Sequence, residues 1–135
     1  MTAPTPPAGG SWQGRAVGPY RPVVRAGDWV VTSGQIGAVP GPDGAPQLVE
    51  GGTAEQLRQA LANVATVLAV EGATLGDVVK TTVFLVDMSE FALVNEIWIE
   101  TWPEPRPSRS AIGVSSLPLA ARIEVEAWAY APAGD

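Results

Sequence analysis

The sequence predicts an α+β domain in which a mixed β-sheet carries two helices packed on one face. Two stretches hold apolar residues at helical spacing, and short β-branched runs lie before, between and after them. The last of these runs alternates between apolar and polar residues, which is typical of a strand with one covered face. Separated strands around two helices favour a single sheet with both helices on the same side.

The chain of 135 residues has the length of one ordinary domain, which buries roughly two thirds of its unfolded surface. Residues 1–11 hold three prolines and two glycines with little apolar surface, so we predict a flexible Pro/Gly-rich tail there. Residues 12–135 are then predicted to form the single domain.

A β-hairpin is predicted to open the folded domain. Residues 23–25 and 29–33 are β-branched and aromatic runs separated by a Gly-Asp turn, so they are predicted to pair. Residues 37–52 are rich in glycine and proline and are predicted to form a loop, with one short strand at 47–49.

The first helix is predicted to begin at Thr53, where Thr53 and Gln56 fit a capping box, and to end at Gly72. Its apolar stripe consists of Leu57, Leu61, Val64 and Leu68. These spacings of three and four residues put one side of the helix against the sheet.

A central strand, a second helix and two more strands are predicted to follow. Residues 78–86 are apolar and β-branched, which indicates a buried strand. Ser89 is predicted to cap the second helix, and Pro103 is predicted to end it. The inner face of this helix is Phe91, Val94, Asn95, Trp98 and Trp102. Residues 108–114 and 122–130 are the last two predicted strands.

The final strand has two faces, and one of them is difficult to reconcile with a monomer. Ile123, Val125, Ala127 and Ala129 fit under the helices, and Arg122, Glu124, Glu126, Trp128 and Tyr130 point to the other side. Trp29 and Val31 are predicted to share that second face. A polar face interrupted by aromatic rings favours an oligomer interface. Scattered surface aromatics, which are ordinary, are the alternative interpretation.

The composition excludes several classes of site. Without cysteine or histidine there is no disulfide, thiolate nucleophile, Ser-His triad or imidazole metal ligand. We expect no metal site, because no clustered carboxylate motif is present. The glycines follow neither nucleotide-binding fingerprint.

The charge and hydropathy bound the partners. Eight basic residues against 14 acidic ones argue against nucleic acid, whose binders usually carry a basic stripe. No apolar run of about 18 residues predicts a membrane span, and the first residues lack a secretory-signal pattern. We therefore expect a cytoplasmic protein with no nucleic-acid or membrane partner.

Arg109 and Glu124 are the strongest candidates for chemistry, and they lie in consecutive segments near the end of the chain. A guanidinium group matches a carboxylate bidentately, although a solvated surface arginine is the alternative for Arg109. Glu124 would act as a base or acid if an oligomer buried its face, because burial raises the pKa of a carboxyl. Glu126 shares that face, so spacing alone does not separate the two glutamates.

Three further polar residues are candidates for a pocket. Asn95 lies on the apolar stripe of the second helix, where it is either a packing amide or a ligand contact. Tyr20 and Ser33 lie beside glycine or proline at the ends of elements, where side chains often line pockets. Each of these two is also compatible with a purely structural role.

Together these pieces resemble the Rid family of reactive-intermediate deaminases, also called YjgF. The matching pieces, in order, are Gly18-Pro19-Tyr20, Thr32-Ser33-Gly34-Gln35-Ile36, Lys80-Thr81-Thr82-Val83-Phe84, Phe91 with Val94-Asn95, Pro107-Ser108-Arg109-Ser110, Leu117-Pro118 and Ile123-Glu124-Val125-Glu126-Ala127. The resemblance covers roughly residues 16–131. Each piece alone is weak, whereas seven in register are a strong signal.

The resemblance implies a fold similar to trimeric chorismate mutase, with three sheets in a central barrel-like core. A homotrimer with active sites between subunits follows from it. It also implies hydrolysis of enamines and imines, such as 2-aminoacrylate and 2-iminopropanoate, to 2-oxo acids and ammonia. The small imino or enamino acid would be the partner molecule, and no cofactor is used.

Carried over by position, Arg109 would bind the substrate carboxylate and Glu124 would position water. Tyr20, Ser33, Gly34, Asn95 and Ala111 would contribute the remaining substrate contacts. Ala111 stands where the family often has cysteine, and Gly113 stands where a larger residue is common. These two departures are expected to shift substrate preference rather than abolish hydrolysis, since water addition to an imine needs no nucleophilic side chain.

Three rival interpretations remain. The first is a trimer that binds small carboxylic acids or a partner protein without catalysis. The second is an endoribonuclease, which the acidic charge and the lack of histidine disfavour. The third is a deaminase dedicated to one pathway and one special substrate.

Overall fold

The structure is a computed structural model and describes residues 18–134. The predicted tail at residues 1–11 and the first residues of the predicted domain lie outside this range. Within it, a mixed sheet carries two helices on one face, which confirms the predicted α+β class. Neither of these helices is long and apolar enough to cross a membrane.

The main sheet has six strands in the order β1-β2-β8-β6-β7, with the short β3 pairing to β8 beyond β2. Their bounds are β1 (Val23–Ala26), β2 (Trp29–Thr32), β3 (Gln35–Ile36), β6 (Val78–Leu85), β7 (Ser108–Gly113) and β8 (Ile123–Tyr130). The β1–β2 hairpin and the central place of β6 confirm the sequence predictions. Only the β6–β7 pair is parallel among the strand pairs of this sheet within residues 18–134.

The hydrophobic core lies between the sheet and the helices α1 (Thr53–Val70) and α2 (Phe91–Thr101). The predicted stripe of α1 is buried there, and so is the predicted inner face of β8. The four inward residues of β8 are Ile123, Val125, Ala127 and Ala129, each with no exposed surface. Full burial of an aliphatic side chain of valine size or larger contributes about 1.5–3 kcal/mol, so this layer anchors the fold.

The glycine- and proline-rich segment 37–52 contains a second hairpin that the sequence analysis predicted only in part. Strands β4 (Ala38–Pro40) and β5 (Pro46–Leu48) pair with each other, whereas only one short strand at 47–49 was expected. The buried amide of Asn63 explains the first strand, because its nitrogen donates to the carbonyls of Ile36 at 3.0 Å and Ala38 at 2.9 Å. Asn63 belongs to α1, 25 residues after Ala38, so the local sequence of this segment does not reveal the contact.

The start of α1 was predicted correctly, but its predicted capping box was wrong. The carboxylate of Glu55 accepts a hydrogen bond from the backbone N–H of Gly52 at 3.0 Å, so Gly52 is the N-cap residue. The side chains of Thr53 and Gln56 turn to Arg122 instead, accepting from its Nε and its backbone N–H at 2.8 Å each. Arg122, which is distant in the sequence, therefore binds the two side chains that the local pattern had assigned to the helix cap.

The predicted cap of the second helix at Ser89 was also wrong. Asp87 accepts hydrogen bonds from the backbone N–H and the hydroxyl of Ser89, at 2.9 and 2.7 Å. A short 3₁₀ turn at Met88–Glu90 then leads into α2. Glu90 receives the guanidinium of Arg122 at 2.6 Å, which ties this turn to the beginning of β8.

Candidate active site

Arg109 lies on the edge strand β7 and is held by one stripe of α2. Its terminal Nη2 donates to Oδ1 of Asn95 at 2.8 Å. Its guanidinium carbon lies 5.2 Å from the ring centre of Phe91 and 5.1 Å from that of Trp98. The three partners are at positions i, i+4 and i+7 of a helix, so they share one side of it. We call Phe91, Asn95 and Trp98 the arginine cradle.

The charge of Arg109 has no carboxylate partner within residues 18–134. Four other arginines of that range, Arg25, Arg58, Arg106 and Arg122, each lie within 4.0 Å of a carboxylate. Partial burial lowers the pKa of Arg109 from its ordinary value, because desolvation disfavours the charged form. The group nevertheless stays ionised at neutral pH. A desolvated, oriented cation that lacks an anion is a suitable site for a ligand carboxylate.

Glu124 lies on β8 and faces away from the helices. Burial raises the pKa of Glu124, and the nearby charge of Glu126 raises it further. No hydrogen bond or ion pair to its carboxylate occurs in the described part of the chain. A partly buried carboxylate with a raised pKa suits a proton-transfer role near neutral pH.

Gly34 lies against Glu124, Ser33 precedes Gly34 in the chain, and Tyr20 adjoins Arg21, which Ser33 contacts. A Cβ atom on Gly34 would lie 2.7 Å from Cδ and 2.9 Å from Oε1 of Glu124, so the glycine is in close contact with the carboxyl. The hydroxyl of Ser33 donates to the carbonyl of Arg21 at 2.6 Å, and Arg21 follows the half-exposed Tyr20 in the chain. These residues and Glu124 form what we call the carboxylate half-site.

Arg109, Asn95 and Ala111 form the other group, which we call the cation half-site. Ala111 follows Arg109 by two residues on β7 and packs against the main core, so it lies on the helix-covered face. Gly113 lies further along the same strand, where an added Cβ would lie 3.1 Å from Cγ of Met88. The space that a larger residue would fill at position 113 is therefore partly taken by Met88.

One chain does not bring the two half-sites together. Arg109 is level with Thr81 and Ala127, both fully buried under the helices, whereas Glu124 points to the opposite face of the sheet. Strand β6 lies between β7 and β8. Two strand spacings and three residues along the strand place their Cα atoms roughly 14 Å apart. Consecutive segments of the sequence are thus not neighbours in the sheet, because β7 pairs with β6 in parallel.

The open face of the sheet carries the aromatic residues that the last strand predicted. The ring of Trp29 packs edge-on against Trp128 at 6.3 Å and Tyr130 at 5.2 Å between ring centres. Trp128 and Tyr130 remain 45% and 46% exposed. Val31 is in register with Trp128 and shares this face. We call Trp29, Val31, Trp128 and Tyr130 the aromatic patch.

Two contacts of the site were not predicted from the sequence. Phe91 and Trp98 were predicted only as part of the inner face of the helix; Trp98 does belong to the core, and both rings also contact Arg109. Their contact with Arg109 had no sequence signal, because Arg109 comes from a strand paired elsewhere in the chain. The contact between Gly34 and Glu124 likewise depends on the pairing of β3 with β8. No cluster of three acidic, histidine or cysteine side chains within residues 18–134 could hold a metal ion.

Comparison with known proteins gives consistent matches. The family model described as Endoribonuclease L-PSP matches residues 13–131. The human protein named 2-iminobutanoate/2-iminopropanoate deaminase is 43% identical over 114 residues, which cover 84% of this chain and 81% of the human one. A RutC family protein of Pyrococcus horikoshii is 40% identical over 116 residues, which cover 86% of this chain and 90% of that protein.

The fold also matches solved structures. The crystal structure of E. coli TdcF with bound serine superimposes with a TM-score of 0.75 at 35% sequence identity, covering 85% of this chain and 90% of that one. Both the chain fold and the family are therefore shared with proteins of known structure.

Proposed function

This chain belongs to the Endoribonuclease L-PSP family, which includes the YjgF, RutC and Rid proteins, and on that premise we propose that it is a hydrolytic imine deaminase. Its substrates are reactive enamines and imines of small amino acids, of the 2-aminoacrylate and 2-iminopropanoate type. The products are the 2-oxo acid and ammonia, and no cofactor takes part.

One observation carries this proposal: the guanidinium of Arg109 is oriented, partly buried and free of any carboxylate partner among residues 18–134. Asn95 occupies one of its five N–H donors, which leaves an edge of the group for a bidentate carboxylate. Two kinds of relatives support a small amino-acid-like ligand. Several at about 40% identity are named imine deaminases, and TdcF was solved with serine bound.

We infer a homotrimer in which each active site forms between two subunits. One subunit supplies the cation half-site, and its neighbour supplies the carboxylate half-site. The opposite orientation of Arg109 and Glu124 supports this arrangement, since a single chain leaves them roughly 14 Å apart. The exposed aromatic patch supports it as well, because contact with another subunit would remove apolar rings from water.

In the proposed reaction Arg109 holds the substrate carboxylate, and Glu124 of the neighbouring subunit orients a water molecule. Glu124 takes a proton as the water oxygen bonds to the imine carbon, and the electron pair of the C=N π bond moves to nitrogen. Glu124 then returns the proton to the nitrogen. Glu124 then takes the carbinol O–H proton and passes it to the amino nitrogen, and the C–N bond breaks as the C=O bond forms, giving the 2-oxo acid and ammonia. A positioned base of this kind contributes about 10²–10⁴-fold.

The test is the release of ammonia and 2-oxo acid from imino acids generated in place by an amino-acid oxidase, measured above the spontaneous rate. Each charge-assisted hydrogen bond contributes about 1.5–3 kcal/mol, so loss of two in Arg109→Ala should lower kcat/KM by roughly 10²–10⁴-fold. Arg109→Lys should recover only part of this loss, because an ammonium group lacks the planar fork.

Arg58→Ala is the matched control, because Arg58 forms an exposed pair with Glu100 on the outer helix surface. It should keep the wild-type rate. A kcat/KM of Arg109→Ala within threefold of the wild-type value would contradict the proposed role of Arg109 in binding the substrate carboxylate. A wild-type protein that does not accelerate hydrolysis would favour a binding protein without catalysis. Salt-dependent RNA binding would favour the ribonuclease alternative. A cytoplasmic location stays a prediction.

A further inference from the structure

The position of the Glu124 carboxylate is set by packing rather than by a polar partner. Among residues 18–134 it has neither a hydrogen-bond donor nor a cation in contact. The main chain of Gly34 packs against it, because an added Cβ there would lie within 3.0 Å of Cγ, Cδ and Oε1. The bare backbone of Gly34 therefore bounds the space that the carboxyl occupies.

The need for glycine at position 34 comes from space and not from backbone conformation. Four glycines of the described range, Gly27, Gly44, Gly51 and Gly72, have positive φ values that favour glycine. Gly34 is not among them, so its backbone would accept alanine. What an alanine would lack is room, because its methyl group would enter the volume of the Glu124 carboxyl.

The backbone on both sides of Gly34 is fixed. Ser33 is held by its N–H to the carbonyl of Pro22 at 2.8 Å and by its hydroxyl to Arg21 at 2.6 Å. On the other side, Gln35 and Ile36 pair with Val125 and Glu124 in β8. Because the main chain is held at both ends, a methyl group at position 34 would displace the flexible carboxyl rather than the strand.

We propose that Gly34 is a positioning residue for Glu124, whose side chain can lie at the junction of β2 and β3 only because position 34 has no Cβ. The inference rests on the proposed function, in which Glu124 holds the attacking water. A shift of about 1 Å in a catalytic group lowers turnover by roughly 100-fold. Glycine at this position is thus a requirement of the chemistry and not of the fold.

Other glycines give the contrast that the experiment needs. An added Cβ on Gly37 would meet the backbone of Gln56 at 2.4–2.8 Å, where nothing flexible can move. Gly37→Ala should therefore impair folding. The nearest atom to an added Cβ on Gly76 is Oγ1 of Thr74 at 3.5 Å, an ordinary contact. Gly76→Ala is accordingly the matched control for the addition of one methyl group to a glycine.

The experiment compares Gly34→Ala, Gly76→Ala, Glu124→Gln and the Gly34→Ala/Glu124→Gln double variant as assembled proteins. Gly34→Ala should keep its melting temperature within a few degrees, while kcat falls roughly 10–100-fold. KM should change less than kcat, because Arg109 is untouched. In the double variant the loss should equal that of Glu124→Gln alone, since both changes act on the same carboxyl. The proposal would be overturned if the loss of kcat in the double variant equalled the product of the two single losses. An unchanged kcat in Gly34→Ala would overturn it as well.

A second readout does not depend on activity. The side-chain carboxyl of Glu124 is titrated by carbon-detected NMR in wild type and in Gly34→Ala, with Gly76→Ala as control. Displacement toward water should lower the pKa of Glu124 toward its ordinary value, because burial is the main cause of its rise. An unchanged titration in Gly34→Ala would refute the positioning role. A shifted titration in a protein without deaminase activity would retain it and refute the proposed function alone.

Discussion

At the scale of single residues, Glu124 and Glu126 show how two carboxylates on one strand differ. They are separated by Val125 and share the open face, opposite Phe84 and Thr82 of β6. Burial is the larger cause of the raised pKa of Glu124, and repulsion from Glu126 is the smaller one. The structure thus gives the two glutamates different surroundings: Gly34 packs against the carboxyl of Glu124, and Glu126 acts on Glu124 as a neighbouring charge.

Glu126→Gln removes this repulsion and should lower the pKa of Glu124. The proposed base would then be ionised at lower pH, so the acid limb of the kcat/KM profile should move to lower pH. Glu96→Gln, on the exposed side of α2, should leave the limb in place. The measurement is the deaminase rate as a function of pH for both variants. A limb that moves to higher pH in Glu126→Gln would contradict the sign of this coupling.

At the scale of elements, α2 combines packing and orientation of a charge. Val94 and Ile97 bury one side of the helix in the core. Phe91, Asn95 and Trp98 form the adjoining stripe, and all three contact the guanidinium of Arg109. The helix therefore orients the cation in the free protein, which would reduce the entropy lost on binding the proposed carboxylate ligand.

Phe91→Leu should weaken the arginine cradle while keeping the helix. A cation–π contact contributes about 0.5–2 kcal/mol, so KM for the imino acid should rise roughly 2–30-fold. Ile99→Leu serves as the control, because Ile99 is exposed on the outer side of the same helix. Steady-state kinetics and thermal melting of both variants provide the readout. An unchanged KM in Phe91→Leu would show that Asn95 and Trp98 suffice to hold Arg109.

At the scale of the whole molecule, the sheet separates the two half-sites. The helix-covered face carries Arg109 at the edge strand β7, and the open face carries Glu124 on the interior strand β8. The aromatic patch lies on that open face as well. The same face that exposes apolar rings thus also carries the carboxylate half-site, so self-association and completion of the site would be coupled in the proposed trimer.

Mixing two inactive variants tests this coupling. Arg109→Ala retains Glu124, and Glu124→Gln retains Arg109. A site is therefore complete wherever the Arg109 of a Glu124→Gln subunit faces the Glu124 of an Arg109→Ala subunit. Random co-assembly of equal amounts into cyclic trimers should restore about a quarter of the wild-type activity. Each variant alone should stay inactive. No recovery after verified subunit exchange would show that the site does not form between subunits.

Local patterns predicted much of the fold but failed at the caps of both helices. The alternation along residues 123–130 and the stripe of α1 were correct, because each reports which side of one element is apolar. The predicted caps at Thr53 and Ser89 were wrong for two different reasons. The Thr53 hydroxyl accepts a hydrogen bond from Nε of the distant Arg122, and Asp87, two residues before Ser89, accepts the backbone N–H of Ser89. A capping pattern cannot register partners that arrive from elsewhere in the chain.

The fold class and the groups available for chemistry could be read from the residues alone: Arg109 two positions after Pro107, Glu124 and Glu126 on an alternating strand, and neither thiol nor imidazole anywhere. Only the tertiary structure decided how these groups are arranged. The parallel pairing of β7 with β6 turned Arg109 toward α2 and away from Glu124, and the pairing of β3 with β8 brought Gly34 against that carboxyl. Side-chain periodicity belongs to a single element, whereas strand order and register arise from burial shared among segments far apart in the chain, which no local pattern contains.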